Sequence, residues 1–109
     1  MKQDLLKIIN HYGVLPQLKY FQSEVFELNE AIIKYEWTKD LFNEGEEWTK
    51  DEEDKHGLKH IVEEIADVLV MLYQFLYHYD VDELELCKIM DFKVNRQLER
   101  ITNELQRNS

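Results

Sequence analysis

Apolar residues recur along this chain at three- and four-residue spacing and never alternate for long enough to suggest a strand, so the pattern predicts an all-α fold. Leu5, Leu6, Ile8, Ile9 and Tyr12 define a first helix over residues 2–12, which Gly13 ends. Pro16 suits the first turn of a second helix, over residues 16–35, with an apolar stripe of Leu18, Phe21, Val25, Leu28, Ile32 and Tyr35. Residues 37–55 lose the period among acids, lysines, Gly45 and two tryptophans, and read as a linker. A connection of that length is expected to be either a lid over a site or a disordered acidic segment. A third helix over residues 57–78 is apolar on nearly every side from Ile65 to Tyr77. Asp80-Val81-Asp82 breaks it and caps a fourth, over residues 81–106, whose stripe is Leu84, Cys87, Val94, Leu98, Ile101 and Leu105. The expectation is four helices per chain.

Length and charge narrow the picture. At 109 residues the chain reads as one domain, 1–109, too small to cover an all-round apolar helix by itself. A homo-oligomer, dimer or tetramer, with the third helix at the contact between chains, is therefore expected. With 23 acidic against 13 basic residues the net charge is −10, which argues against a nucleic-acid polymer or an anionic membrane as partner. The single Cys87 allows no internal disulfide and belongs to no zinc-type cluster. The apolar run from Ile65 is interrupted too early by Asp67 to span a bilayer, and no leader-like segment opens the chain, so a cytoplasmic location is expected.

The chemistry is carried by acids on the long helices. Asp67 is the one charge inside the apolar run, where an unpaired carboxylate costs several kcal/mol, and Glu64 lies one turn back on the same face. Glu24 and Glu27 form a second pair along the margin of the stripe on the second helix. Spacing alone is cheap in so acidic a chain: Glu27/Glu30, Asp51/Asp54 and Asp82/Glu85 share it as solvated helix faces do. What sets the two pairs apart is that each borders the apolar stripe of a core helix. If those helices pack antiparallel, four carboxylates converge in an all-oxygen site that suits Mg²⁺ or Mn²⁺ and accepts phosphate oxygens as further ligands. A di-iron bundle needs Glu-x-x-His on two core helices, and the only such spacing, Glu53 to His56, lies in the linker. His60 shares the face of Glu64 and Asp67, although a lone His is more often a surface or structural residue.

The stretch Gln17-Leu18-Lys19-Tyr20-Phe21-Gln22-Ser23-Glu24-Val25-Phe26-Glu27-Leu28, followed by Glu63-Glu64-Ile65-Ala66-Asp67-Val68-Leu69 and by Lys93-Val94-Asn95-Arg96 with Arg100-Ile101, resembles the MazG-like nucleoside triphosphate pyrophosphohydrolases. These belong to the all-α NTP pyrophosphatase superfamily, with the dimeric dUTPases and phosphoribosyl-ATP pyrophosphatases. The resemblance runs from Gln17 to Ile101 and implies hydrolysis of a nucleoside triphosphate to the monophosphate and pyrophosphate, a nucleotide-pool house-cleaning reaction. It also implies Mg²⁺ held by Glu24, Glu27, Glu64 and Asp67.

The chain departs from that pattern at Ser23, where many members carry an additional glutamate suited to positioning or deprotonating the attacking water. The general base is thus unassigned. Glu63 lies about 100° around the helix from Glu64 and reaches the site only if its side chain turns back. Metal coordination, which lowers the pKa of water, is the alternative source of the nucleophile. Lys93, Arg96 and Arg100 gather within about 60° on one face of the fourth helix and are candidates for phosphate contacts, against a solvated face paired with Glu99 or Glu104. Gln17, Trp37 and Trp48 are further candidates for substrate contact, the tryptophans by stacking on a base or, on the plainer reading, by packing over the core. The non-enzymatic alternative is a helical regulator or scaffold that binds nucleotide or metal without turnover.

Overall fold

A computed structural model describes residues 1–42 and 48–108, and it is all-α: no strand occurs among them. Five helices are described in place of the expected four: α1 Lys2–Tyr12, α2 Val14–Phe42, α3 Lys50–Lys55, α4 Leu58–His78 and α5 Glu83–Arg107. Two compact units divide the chain, Met1–His78 and Tyr79–Ser109. No helix among the described residues is long and apolar enough to cross a membrane.

In the first unit α1 ends where Gly13 takes φ 93°, its N–H bonded to Ile9 O at 2.8 Å. α2 begins at once and continues to Phe42, beyond the expected end at 35. Ile33, Trp37 and Leu41, four residues apart, sustain helical spacing on a face the core does not use, which is why a reading of the core stripe stops too early. The expected linker is therefore shorter, and its residues 43–47 lie outside the described residues. Its last part is α3, started by the N-cap Thr49: Thr49 Oγ1 accepts from Glu52 N–H at 3.2 Å and donates to Glu52 Oε1 at 3.1 Å. Gly57, at φ 123°, turns the chain into α4 with its backbone close beside the Tyr35 ring.

α2 and α4 run antiparallel: Gln17 meets Gln74, Phe21 meets Phe75 edge to face, and Ala31 and Tyr35 pack with Ile61. The inward face of α2 is Gln17, Phe21, Glu24, Leu28, Ala31 and Tyr35, alternating four- and three-residue steps. That face is rotated by roughly 50° from the apolar stripe read in the sequence, at 100° per residue. In consequence Leu18, Val25 and Ile32 are left about 40% exposed, and Glu24 moves from the margin into the seam. α4 answers with Ile61, Glu64, Val68, Met71 and Phe75. Within the first unit it is not covered on all sides, since Ile65, Leu69 and Leu72 remain 41–45% exposed. α1 packs mainly on α4, through a face whose Leu5 and Ile9 are buried.

The second unit is α5 and the turn before it. Asp80 takes a positive φ of 51°, and Asp82 caps the helix by accepting from Leu84 N–H and Glu85 N–H at 2.9 and 3.3 Å. The break and the cap are those the sequence predicts. None of α5 is buried, and Val94, Leu98, Ile101 and Leu105 present an open apolar stripe.

Ile9, 1% exposed, is the larger anchor of α1. Ile9→Ala is expected to cost about 2–4 kcal/mol, and Gly57→Ala about 1–2 kcal/mol because its backbone conformation disfavours any Cβ. Urea titration followed by circular dichroism measures both, and the unequal losses distinguish packing from backbone strain.

Candidate metal centre

The rotation of α2 against α4 decides which acids meet. Glu24 and Glu64 face each other across the seam, 6% and 8% exposed, while Glu27 and Asp67, one turn on in each helix, are exposed. One carboxylate oxygen from each of Glu24, Glu27 and Glu64 lies within 4.8 Å of the other two. Asp67 is not in that group. It had been expected to be the buried acid of α4, but the seam runs through Ile61, Glu64 and Val68, and three residues on from Glu64 the helix has turned Asp67 some 60° away.

Burial without partners marks the centre. Glu24 Oε2 and Glu64 Oε2 are both buried and accept no hydrogen bond from the described residues. Burial, then the charges of Glu27, Asp67 and Glu64, push the Glu24 carboxyl above its ordinary value against a hydrogen bond from Tyr20, one turn back, which lowers it. That same bond and the Glu24 charge hold the Tyr20 phenol above its ordinary value. A cation fits this donor set: three carboxylates from facing turns, two with orphaned oxygens, and one exposed side on which waters or phosphate oxygens complete the shell of a hard divalent ion. Glu24, Glu27 and Glu64 are the residues to hold it, and Asp67 borders the same cleft as Glu24.

Other candidates take varied places. His60 Nε2 lies 3.6 Å from Glu64 Oε1, and His60 Nδ1 lies 4.0 Å from Glu63 Oε2. Glu63 is turned to solvent, its side chain 63% exposed. Ser23 is exposed on α2. Trp48 stacks on His56 at 4.4 Å and meets Tyr35 edge to face, packing against the Ala31, Tyr35 and Ile61 cluster. Trp37 belongs to α2, not to a linker, and is exposed. Lys93, Arg96 and Arg100 all lie on exposed positions of α5, where the Arg96 guanidinium sits 6.0 Å above the Phe92 ring. Among the described residues none of the three makes an ion pair with Glu99 or Glu104.

Gln17 is buried and donates from Nε2 to Gln74 Oε1 at 2.8 Å. Gln74 and Tyr20 were missed by the sequence reading. The signal for Gln74 was its position as the lone amide in the apolar run from Ile65 to Tyr77; that for Tyr20 was its place one turn before Glu24.

No protein-family model matches the chain, and no characterised protein or solved structure is significantly similar to it.

The acids make a pH-dependent prediction. A carboxyl whose pKa is higher in the folded than in the unfolded chain destabilises the fold once ionised, so stability is lost as pH rises from 4.5 through the folded value. Without metal, Glu24→Gln is expected to melt higher than the wild type near pH 7, by an amount that shrinks toward pH 4.5. Mg²⁺ should raise the melting temperature of the wild type and leave that of the variant nearly unchanged. Scanning calorimetry at both pH values with and without Mg²⁺ checks this; equal gaps and equal metal responses would remove Glu24 from a charge cluster.

Proposed function

We propose that this protein is a MazG-like, Mg²⁺-dependent nucleoside triphosphate pyrophosphohydrolase, releasing pyrophosphate and a nucleoside monophosphate. The observation that carries the reading is the pair of buried, unpartnered carboxylate oxygens of Glu24 and Glu64, with Glu27 within 4.8 Å. The ordered ExxE and ExxD of the sequence support it, since the first acid of each is the one buried at the centre. When bound, magnesium supplies Lewis-acid polarisation of the phosphates and of the attacking water.

The chain's own residues do the rest. Glu24 and Glu64, fixed in a packed seam, set where the cation lies, and Glu27 on the open side leaves room for the triphosphate. On this reading Asp67, which borders the cleft, orients water or completes the ligand set, and His60, 3.6 Å from Glu64 Oε1, supports that carboxylate when protonated. Lys93, Arg96 and Arg100 are the proposed phosphate contacts. The reading extends to a homo-oligomer, supported by the apolar side chains left uncovered on α2, α4 and α5.

Pyrophosphate release from a panel of ribo- and deoxyribonucleoside triphosphates with Mg²⁺ tests the activity. Turnover of at least one is expected, with Glu24→Gln and Glu64→Gln lowering kcat by more than about a hundredfold at unchanged helix content. Binding without turnover would instead favour the non-catalytic regulator that Ser23 keeps in view. Sedimentation at micromolar concentration is expected to give a dimer or tetramer; a well-folded monomer would sink the assembly.

A further inference from the structure

We infer that the cleft enclosed by α1, α2 and α4 is the nucleobase pocket of the substrate, and that the Gln17–Gln74 amide pair reads the base; the inference rests on the nucleotide reading above. The cleft has a volume of about 630 Å³, within the range of small-ligand sites. Ile8 and Tyr12 of α1, Tyr20 of α2 and Val70 and Met71 of α4 give it apolar and aromatic walls.

Glu24 and Asp67 line this cleft too, so it is continuous with the acidic centre. Gln17 lies seven residues before Glu24 on α2, and Gln74 seven residues after Asp67 on the antiparallel α4. Each amide is thus two turns, roughly 10 Å, from the acid on its own helix. A nucleotide with its phosphates at the carboxylates reaches across its sugar by that order of length. The reverse pose is disfavoured, because among the described residues no lysine or arginine lines the cleft to receive a phosphate.

The amide pair is an unusual thing to bury in this wall. Gln74 is 1% exposed in an otherwise apolar stretch of α4, and such a group is costly to bury unless its polar atoms are used. Its Oε1 takes the 2.8 Å bond from Gln17, whereas its own Nε2 has, among the described residues, only the weak acceptor Met71 Sδ, at 3.6 Å. What the bond achieves is orientation. With one N–H committed to Gln74, the Gln17 amide is left one N–H and its carbonyl oxygen, and where the bond to Gln74 uses the N–H trans to that oxygen these stand as a donor beside an acceptor. A carboxamide presenting both is complementary to a base edge on which an acceptor and a donor are neighbours. A pinned amide discriminates between bases; a free one rotates to suit any of them.

Equilibrium titration with Mg²⁺ and the α,β-imido analogues of four deoxynucleoside triphosphates, with tripolyphosphate as the phosphate chain alone, tests this without turnover. The wild type is expected to bind one base at least about tenfold tighter than the others and than tripolyphosphate. Gln17→Leu is expected to bring the four within about threefold of one another while leaving tripolyphosphate affinity unchanged. Gln74→Met, which keeps Gln17 but removes its anchor and replaces one buried side chain with another of similar length, should lose part of the discrimination in the same way. An unchanged order and spread in both variants, or no preference in the wild type, overturns the inference and reduces the pair to a self-satisfied packing contact. Failure of the wild type to bind even tripolyphosphate would sink the nucleotide reading itself, and this one with it.

Discussion

Two glutamates placed opposite each other in the seam of a helix pair set the terms for everything around them. A carboxylate taken out of water costs several kcal/mol unless it is paired or hydrogen-bonded, and a second one beside it adds repulsion. Among the described residues Glu24 and Glu64 each keep an oxygen without a hydrogen-bond partner, and His60 lies 3.6 Å from the other oxygen of Glu64. The strain is local, because the core of Ala31, Tyr35 and Ile61 lies along the seam in one direction and the contact of Phe21 with Phe75 in the other. Packing on both sides thus holds apart from water a pair of charges that would otherwise separate. This is the arrangement a preorganised cation site requires, since the fold and not the ion then fixes the ligands.

The same seam explains what could be read in the sequence. Helical periodicity located α1 and the body of α4, and the caps at Gly13 and Asp82 followed from residue chemistry alone. The face of α2 did not follow, because periodicity counts apolar residues and the packed face contains Gln17 and Glu24. Choosing Leu18, Val25 and Ile32 in their place turned the helix by roughly 50° on paper and left Glu24 at a margin; on α4 the apolar run around Asp67 pointed to that acid, whereas the packed seam takes Glu64. Acid spacing brought the correct helices into view; only the packing could say which member of each pair is dry. α3 was hidden for another reason. Its N-cap Thr49, bonded to Glu52, stands before so many acids that the glutamate carried no information by itself.

Polar residues in the seam also have a consequence for stability. Of the six inward positions on α2, two are Gln17 and Glu24, which contribute little to apolar burial. Meanwhile Leu18, Val25 and Ile32, with Ile65, Leu69 and Leu72 on α4, stay close to 40% exposed or above. The side of the pair with these apolar side chains is therefore not the side that the first unit covers. On the helical wheel of an antiparallel pair these six side chains fall on one side, and Tyr20, Glu27, Asp67 and Gln74, with the cleft under α1, fall on the other.

That separation bears on how the proposed assembly and the proposed chemistry coexist. A second copy seated on Leu18, Val25, Ile32, Ile65, Leu69 and Leu72 would bury the surface that α2 and α4 lack in their own seam, and would do so without touching Glu27, the exposed member of the acid cluster and, on the proposed reading, its open side. The stabilisation gained there is hydrophobic and insensitive to the ionisation of the acids, whereas the destabilisation at Glu24 depends on it. Assembly can thus hold α2 and α4 together while the carboxylates remain uncompensated, which is the condition for their binding energy to go to a cation and its phosphates rather than to folding the chain around them.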